Sequence, residues 1–71
     1  MNFDMFLETL HELHTATIGE KRKYWHYSVV KNSETEYVLS YRNVSFSICK
    51  DIPSAISILD AVYRCFRIEF H

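Results

Sequence analysis

The sequence predicts an α+β domain. Two helices cover one face of a three-stranded antiparallel meander, a two-layer sandwich in the order α-β-β-β-α. Three observations point there. Apolar residues recur at three-four spacing in residues 2–18 and again after Asp51. Between residues 24 and 49 the period changes to two. The only glycine and the only proline, Gly19 and Pro53, fall where elements should end and begin.

The first helix spans residues 2–18. Phe3, Phe6, Leu7, Leu10, Leu13 and His14 make its buried stripe, while Glu8, His11 and Glu12 face water. Asn2 is placed to cap it, and Gly19 to end it at positive φ. Residues 20–23 read as a charged connector. Strand one carries Trp25, Tyr27 and Val29 inward, strand two Tyr37, Leu39 and Tyr41, and strand three Val44, Phe46 and Ile48. The turns are Asn32-Ser33-Glu34 and Arg42-Asn43. With these turns Val29 faces Tyr37, Tyr27 faces Leu39 and Trp25 faces Tyr41. On the other side Tyr41 faces Val44, Leu39 faces Phe46 and Tyr37 faces Ile48. Every bulky residue then lands on one face, which a one-residue slip would undo. Asp51 caps the last helix and Pro53 suits its first turn. Its core stripe is Ala55, Ile56, Leu59, Val62, Tyr63, Phe66 and Phe70. Its wet stripe is Ser57, Asp60, Arg64 and Arg67, with Asp60 and Arg64 spaced for an ion pair.

The 71 residues suit one domain, 1–71. A chain this short buries only about 60% of its unfolded surface, so it needs a dense core. Hydrophobic residues at 48% and aromatic ones at 15% supply it and argue against disorder. Two unpatterned cysteines, Cys49 and Cys65, suit free thiols in a reducing cytoplasm, with a single bridge as the alternative. Asp4 and Glu8 stand where a leader peptide would carry basic residues, and no apolar run is long enough to span a membrane. The expected address is the bacterial or host cytoplasm. A net charge of −1 gives no overall attraction to nucleic acid or an anionic membrane.

No catalytic constellation emerges. One glycine excludes a phosphate-cradling loop and a glycine-flanked nucleophile. Glu8/Glu12 and Glu34/Glu36 read as solvated pairs. His11 and His14 are three apart, not the four of a zinc-protease helix, with His26 as the only obvious third ligand. No enzyme activity, metal, cofactor or small-molecule ligand is therefore expected.

Two surfaces suggest contact with another protein. The open sheet face should carry His26, Ser28, Val30, Val38, Ser40, Ser45, Ser47 and Cys49, small and almost uncharged residues that are cheap to desolvate. A second apolar stripe on the last helix, Ile58, Ala61, Cys65 and Ile68, exceeds what one sheet needs to cover. The expected function is a non-catalytic protein-binding module, a small stand-alone inhibitor or adaptor of the kind that phages and mobile elements encode. A second copy of the chain, as a homodimer or self-associating structural subunit, is another partner of the right chemistry.

The α-β-β-β-α order also resembles, over the whole chain but as topology alone, the double-stranded RNA-binding domain. That family holds RNA through a loop after strand one and a lysine cluster opening helix two. Here the loop is Lys31-Asn32-Ser33-Glu34-Thr35-Glu36 and the helix opens Asp51-Ile52-Pro53-Ser54-Ala55, with no basic residue. A nucleic-acid reading would instead rely on Lys21, Arg22, Lys23 and Tyr24.

Overall fold

A computed structural model describes residues 2–66. Helix α1 (Phe3–Thr9) runs into a 3-10 segment (Leu10–Thr15), followed by strands β1 (Lys21–Tyr24), β2 (Tyr27–Ser33), β3 (Glu36–Tyr41) and β4 (Val44–Cys49), and helix α2 (Ile52–Phe66). The strands form one antiparallel meander, β1-β2-β3-β4, with both helices packed on one face. The α+β sandwich is as the periodicities predict, with a fourth strand where a connector was expected.

Asn2 caps α1, its Oδ1 accepting from the Met5 N–H at 2.8 Å. The helix tightens at Leu10 instead of continuing to residue 18. In a 3-10 turn residues three apart eclipse, so Leu10 and Leu13 stay in line and buried. His14, expected near that stripe, rotates out and is exposed. Gly19 does not end the helix. It occupies a turn closed by the Glu20 N–H on the Thr17 carbonyl at 3.0 Å, and its φ of +101° is the left-handed conformation that glycine adopts freely.

β1 forms because Lys21-Arg22-Lys23-Tyr24 alternates as well as any apolar strand. Arg22 and Tyr24 turn toward the helices, Lys21 and Lys23 away. Trp25, expected in the core, lies instead in the two-residue turn before Tyr27 and is exposed. Tyr24 takes its place, packing on Phe3 and Phe6 with ring centroids at 5.6 and 5.5 Å.

β2 and β3 pair two residues away from the expected register, Tyr27 with Tyr41 and Val29 with Leu39. A shift of two preserves the faces. Tyr27, Val29, Tyr37 and Leu39 therefore join Phe3, Phe6, Leu10, Leu13, Cys49, Ile52, Ala55 and Leu59 in the core. Between β3 and β4 the difference is one residue, and it reverses a face. Tyr41 pairs Val44 as expected, but Ser40 pairs Ser45 while Leu39 pairs Ser47, leaving Phe46 as the extra residue of a bulge. Beyond it Ser47 and Cys49 face the helices, and Ile48 faces away beside Val38. Val44, Phe46 and Ile48, expected in the core, are exposed.

Asp51 caps α2, its Oδ1 accepting from the Ser54 N–H at 2.8 Å. Ala55 and Leu59 are buried, and Ile56, Val62 and Tyr63 pack partly against the core. Phe70 lies outside the described residues. α2 starts beside Cys49 and by Tyr63 has reached Phe3, Tyr24 and Tyr27, so it crosses the sheet diagonally. That path leaves the Val44 corner uncovered. Asp60 and Arg64 form the expected pair at 2.9 Å.

The backbone N–H of Ser54 holds the Asp51 carboxyl below its ordinary value, with help from the Ser54 hydroxyl and Lys50. With the folded pKa lower than the unfolded one, the charged cap stabilises fully above about pH 4 and fades as pH falls through the lowered value. Asp51→Ala should lower the melting temperature at neutral pH, and the gap to wild type should narrow in acid. A gap independent of pH would remove the carboxylate from the explanation.

Candidate functional site: the outer face and edges of the sheet

Two rows of side chains cross the outer face in register. One is Lys21, Val30, Val38 and Ile48; the other is Lys23, Ser28, Ser40 and Ser45. Ser28 is buried, Val38 and Ser40 are half-buried, and Ser45 is exposed with its Oγ 3.5 Å from that of Ser40. The sequence therefore places Ser28, Val30, Val38, Ser40 and Ser45 correctly on this face. Ser47 and Cys49 are corrections, since the bulge turns them inward beside Leu39 and Tyr37. His26 is another: it sits in the β1–β2 turn, exposed, with its ring 5.9 Å from that of Tyr41. The outcome is a face more apolar than the serines suggested.

The two edges of the sheet differ in kind. β1 is four residues long and turns Lys21 and Lys23 outward, which discourages another strand from pairing with it. β4 has six residues, none charged, with Val44 67% and Ile48 63% exposed and Phe46 partly so. Its bulge is the only blunting device it carries.

The second stripe of α2 is not one surface. Ile58 packs partly against the core, Cys65 is exposed, and Ile68 lies outside the described residues. Both cysteines are free thiols. Burial pushes the Cys49 thiol up, against a smaller opposing effect of a hydrogen bond with Ser47.

The basic segment divides by strand alternation. Arg22 is tied to Glu12 and Glu20 at 3.4 and 3.2 Å, and Tyr24 is packed among rings. Lys21 and Lys23 remain outward. Near them, two hairpin tips meet. Trp25-His26 joins β1 to β2 and Arg42-Asn43 joins β3 to β4, and the Arg42 N–H donates to the His26 carbonyl at 2.9 Å. Arg42 and Asn43 have φ of 52° and 68°, the pattern of a type I′ turn. Trp25 has φ of 53°. Trp25 is 75% exposed, and its ring meets that of Tyr24 edge-on at 6.4 Å. The Arg42 guanidinium lies 5.6 Å from the Tyr41 ring centroid.

Among the described residues, no group of three or more His, Cys, Asp or Glu side chains is arranged to hold a metal ion. A recess of about 270 Å³ lies between the start of α1 and the end of α2, lined by Asn2, Phe3, Asp4, Tyr24, Tyr63 and Arg64. Its floor is the stacked pair Phe3–Tyr63, with centroids 3.8 Å apart. No helix among the described residues is long and apolar enough to cross a membrane. No family model matches the chain, and no curated protein or solved structure is significantly similar to it.

Proposed function

We propose that this chain is a non-catalytic protein-binding module working through the outer sheet face and its β4 edge. In this reading it is a small inhibitor or adaptor of the kind that phages and mobile elements encode, acting in the cytoplasm. The contrast between the two edges supports this most directly. One edge is guarded by lysines, while the other presents Val44, Phe46 and Ile48 to solvent in a strand without charge. Apolar exposure on an unguarded edge costs solubility unless something covers it. The row Val30, Val38 and Ile48 continues that surface across the sheet, and the short serines beside it lose little side-chain freedom on contact. The partner is a protein whose own contact surface is apolar and uncharged.

Ile48→Glu and Ser40→Glu place a carboxylate in this surface. Ile48→Glu should change stability by no more than about 0.5 kcal/mol, because the position is exposed. The protein captured by wild type should be lost with either variant while both stay folded by circular dichroism. Capture undiminished in both would refute the assignment. Sedimentation at micromolar concentration distinguishes a second copy of the chain from a different protein.

A further inference from the structure

We propose that the joined hairpin tips, Trp25-His26 and Arg42-Asn43, bind single-stranded nucleic acid, with Trp25 stacking on a base and Lys23 and Arg42 meeting its phosphates. This site centres on the tips and adjoins the sheet face described above, sharing only Lys23 with its serine row. It starts from a residue the fold does not need. Trp25 is among the most exposed large apolar side chains, yet it sits at positive φ in a place where glycine is favoured. A bulky side chain in that conformation is strained, and burial does not compensate it. Arg42 carries the same strain in the neighbouring turn, where Asn43 beside it is of the type that suits the position. The two strained residues are brought together by the hydrogen bond from Arg42 to the His26 carbonyl. Strain of this kind gathers where side-chain chemistry matters more than local stability.

The charges around the tips define the ligand. Among the described residues Lys21, Lys23 and Arg42 enter no ion pair, whereas Arg22, Lys31 and Arg64 are each matched with a carboxylate. Residues 21–33 and 37–50 contain no Asp or Glu at all. Glu34 and Glu36 lie at the opposite end of the sheet, at the β2–β3 turn. The net charge of −1 therefore conceals cationic strand ends and tips, although Asp4 of α1 lines the recess with Tyr24 on the helix side. Arg42 Nε donates to the Tyr41 hydroxyl at 3.3 Å, which leaves its charge without a carboxylate. An exposed indole at the same end as cations free of ion pairs is the combination that holds an unstacked base and its phosphates. A lipid surface would favour several apolar side chains at the tip, and among the described residues the exposed large apolar ones in or next to the two turns are Trp25 and Val44.

Trp25 is the sole tryptophan, so its emission reports this site alone. A short oligothymidylate should quench it saturably at about 20 mM salt. Affinity, read also by anisotropy of the labelled oligonucleotide, should fall roughly 25- to 125-fold by about 200 mM if two or three phosphates are neutralised. Trp25→Gly should weaken binding about tenfold or more while leaving the melting temperature unchanged or raised. Arg42→Asn, which relieves strain, should weaken binding and flatten the salt dependence. Ile48→Glu should leave oligonucleotide binding intact, which keeps this test independent of the protein-binding surface. The proposal is overturned by an absence of quenching at low salt, by binding indifferent to Trp25→Gly, or by quenching with anionic phospholipid vesicles alone.

Discussion

Lys31→Ala is expected to cost about 3 kcal/mol, on the order of 15 °C in melting temperature for a domain of this size. Lys31 is only 1% exposed, yet it comes from β2 and faces the helices. Its Nζ donates to the carbonyls of His14 and Ala16, each at 2.9 Å. Those carbonyls end the 3-10 segment and have no helical partner of their own. Alanine leaves them without that donor and opens a void where the lysine stem packed. Lys31→Met keeps most of the stem and should lie between wild type and alanine. The Glu34 carboxylate, 3.5 Å from Nζ, is exposed, so Glu34→Gln should cost no more than a few tenths of a kcal/mol. Urea melts of the three variants check this order. Equal losses from Glu34→Gln and Lys31→Ala would assign the effect to the ion pair instead.

Phe6→Ala should cost more, about 3–5 kcal/mol. Phe6 is fully buried, with its ring stacked near Tyr24 and 6.1 Å from Phe3. Together with Tyr63 these rings join α1, β1 and α2 at one end of the core. A domain this small has a total stability of roughly 4–10 kcal/mol, so the variant loses a large part of it. The urea midpoint should drop with little change in slope, and Phe6→Leu should recover most of the loss. A cost below about 1 kcal/mol would mean that the neighbouring rings collapse into the space.

The sequence predicted best where local and tertiary preferences agree. Phe3, Phe6, Leu10 and Leu13 are buried as their spacing implies, and Asn2 and Asp51 cap as their positions suggest. Alternation in β3 places Tyr37 and Leu39 inward. It was uninformative where charge hides a strand: Lys21-Arg22-Lys23 alternates in space, but composition alone gives it the look of a solvated link. Lys31 escaped for the same reason, since nothing local shows that a lysine opposite Tyr37 will meet two helix-end carbonyls. β4 failed differently. Its serines and apolar residues alternate without fault, and one bulged residue inverts their meaning. Of the contact surface, Val38, Ser40 and Ser45 were legible. The exposure of Phe46 and Ile48 required the bulge, that of Val44 the diagonal path of α2, and that of Trp25 its turn.

The unlike borders of this sheet also limit how far it can grow. Fibres add subunits head to tail, so each molecule must offer two mutually adhesive rims. Here one rim is apolar and the other short and cationic, so an added neighbour presents nothing comparable to the next. Copies that met through β4 would stop at two, having used up the one receptive sheet border that each has among its described residues.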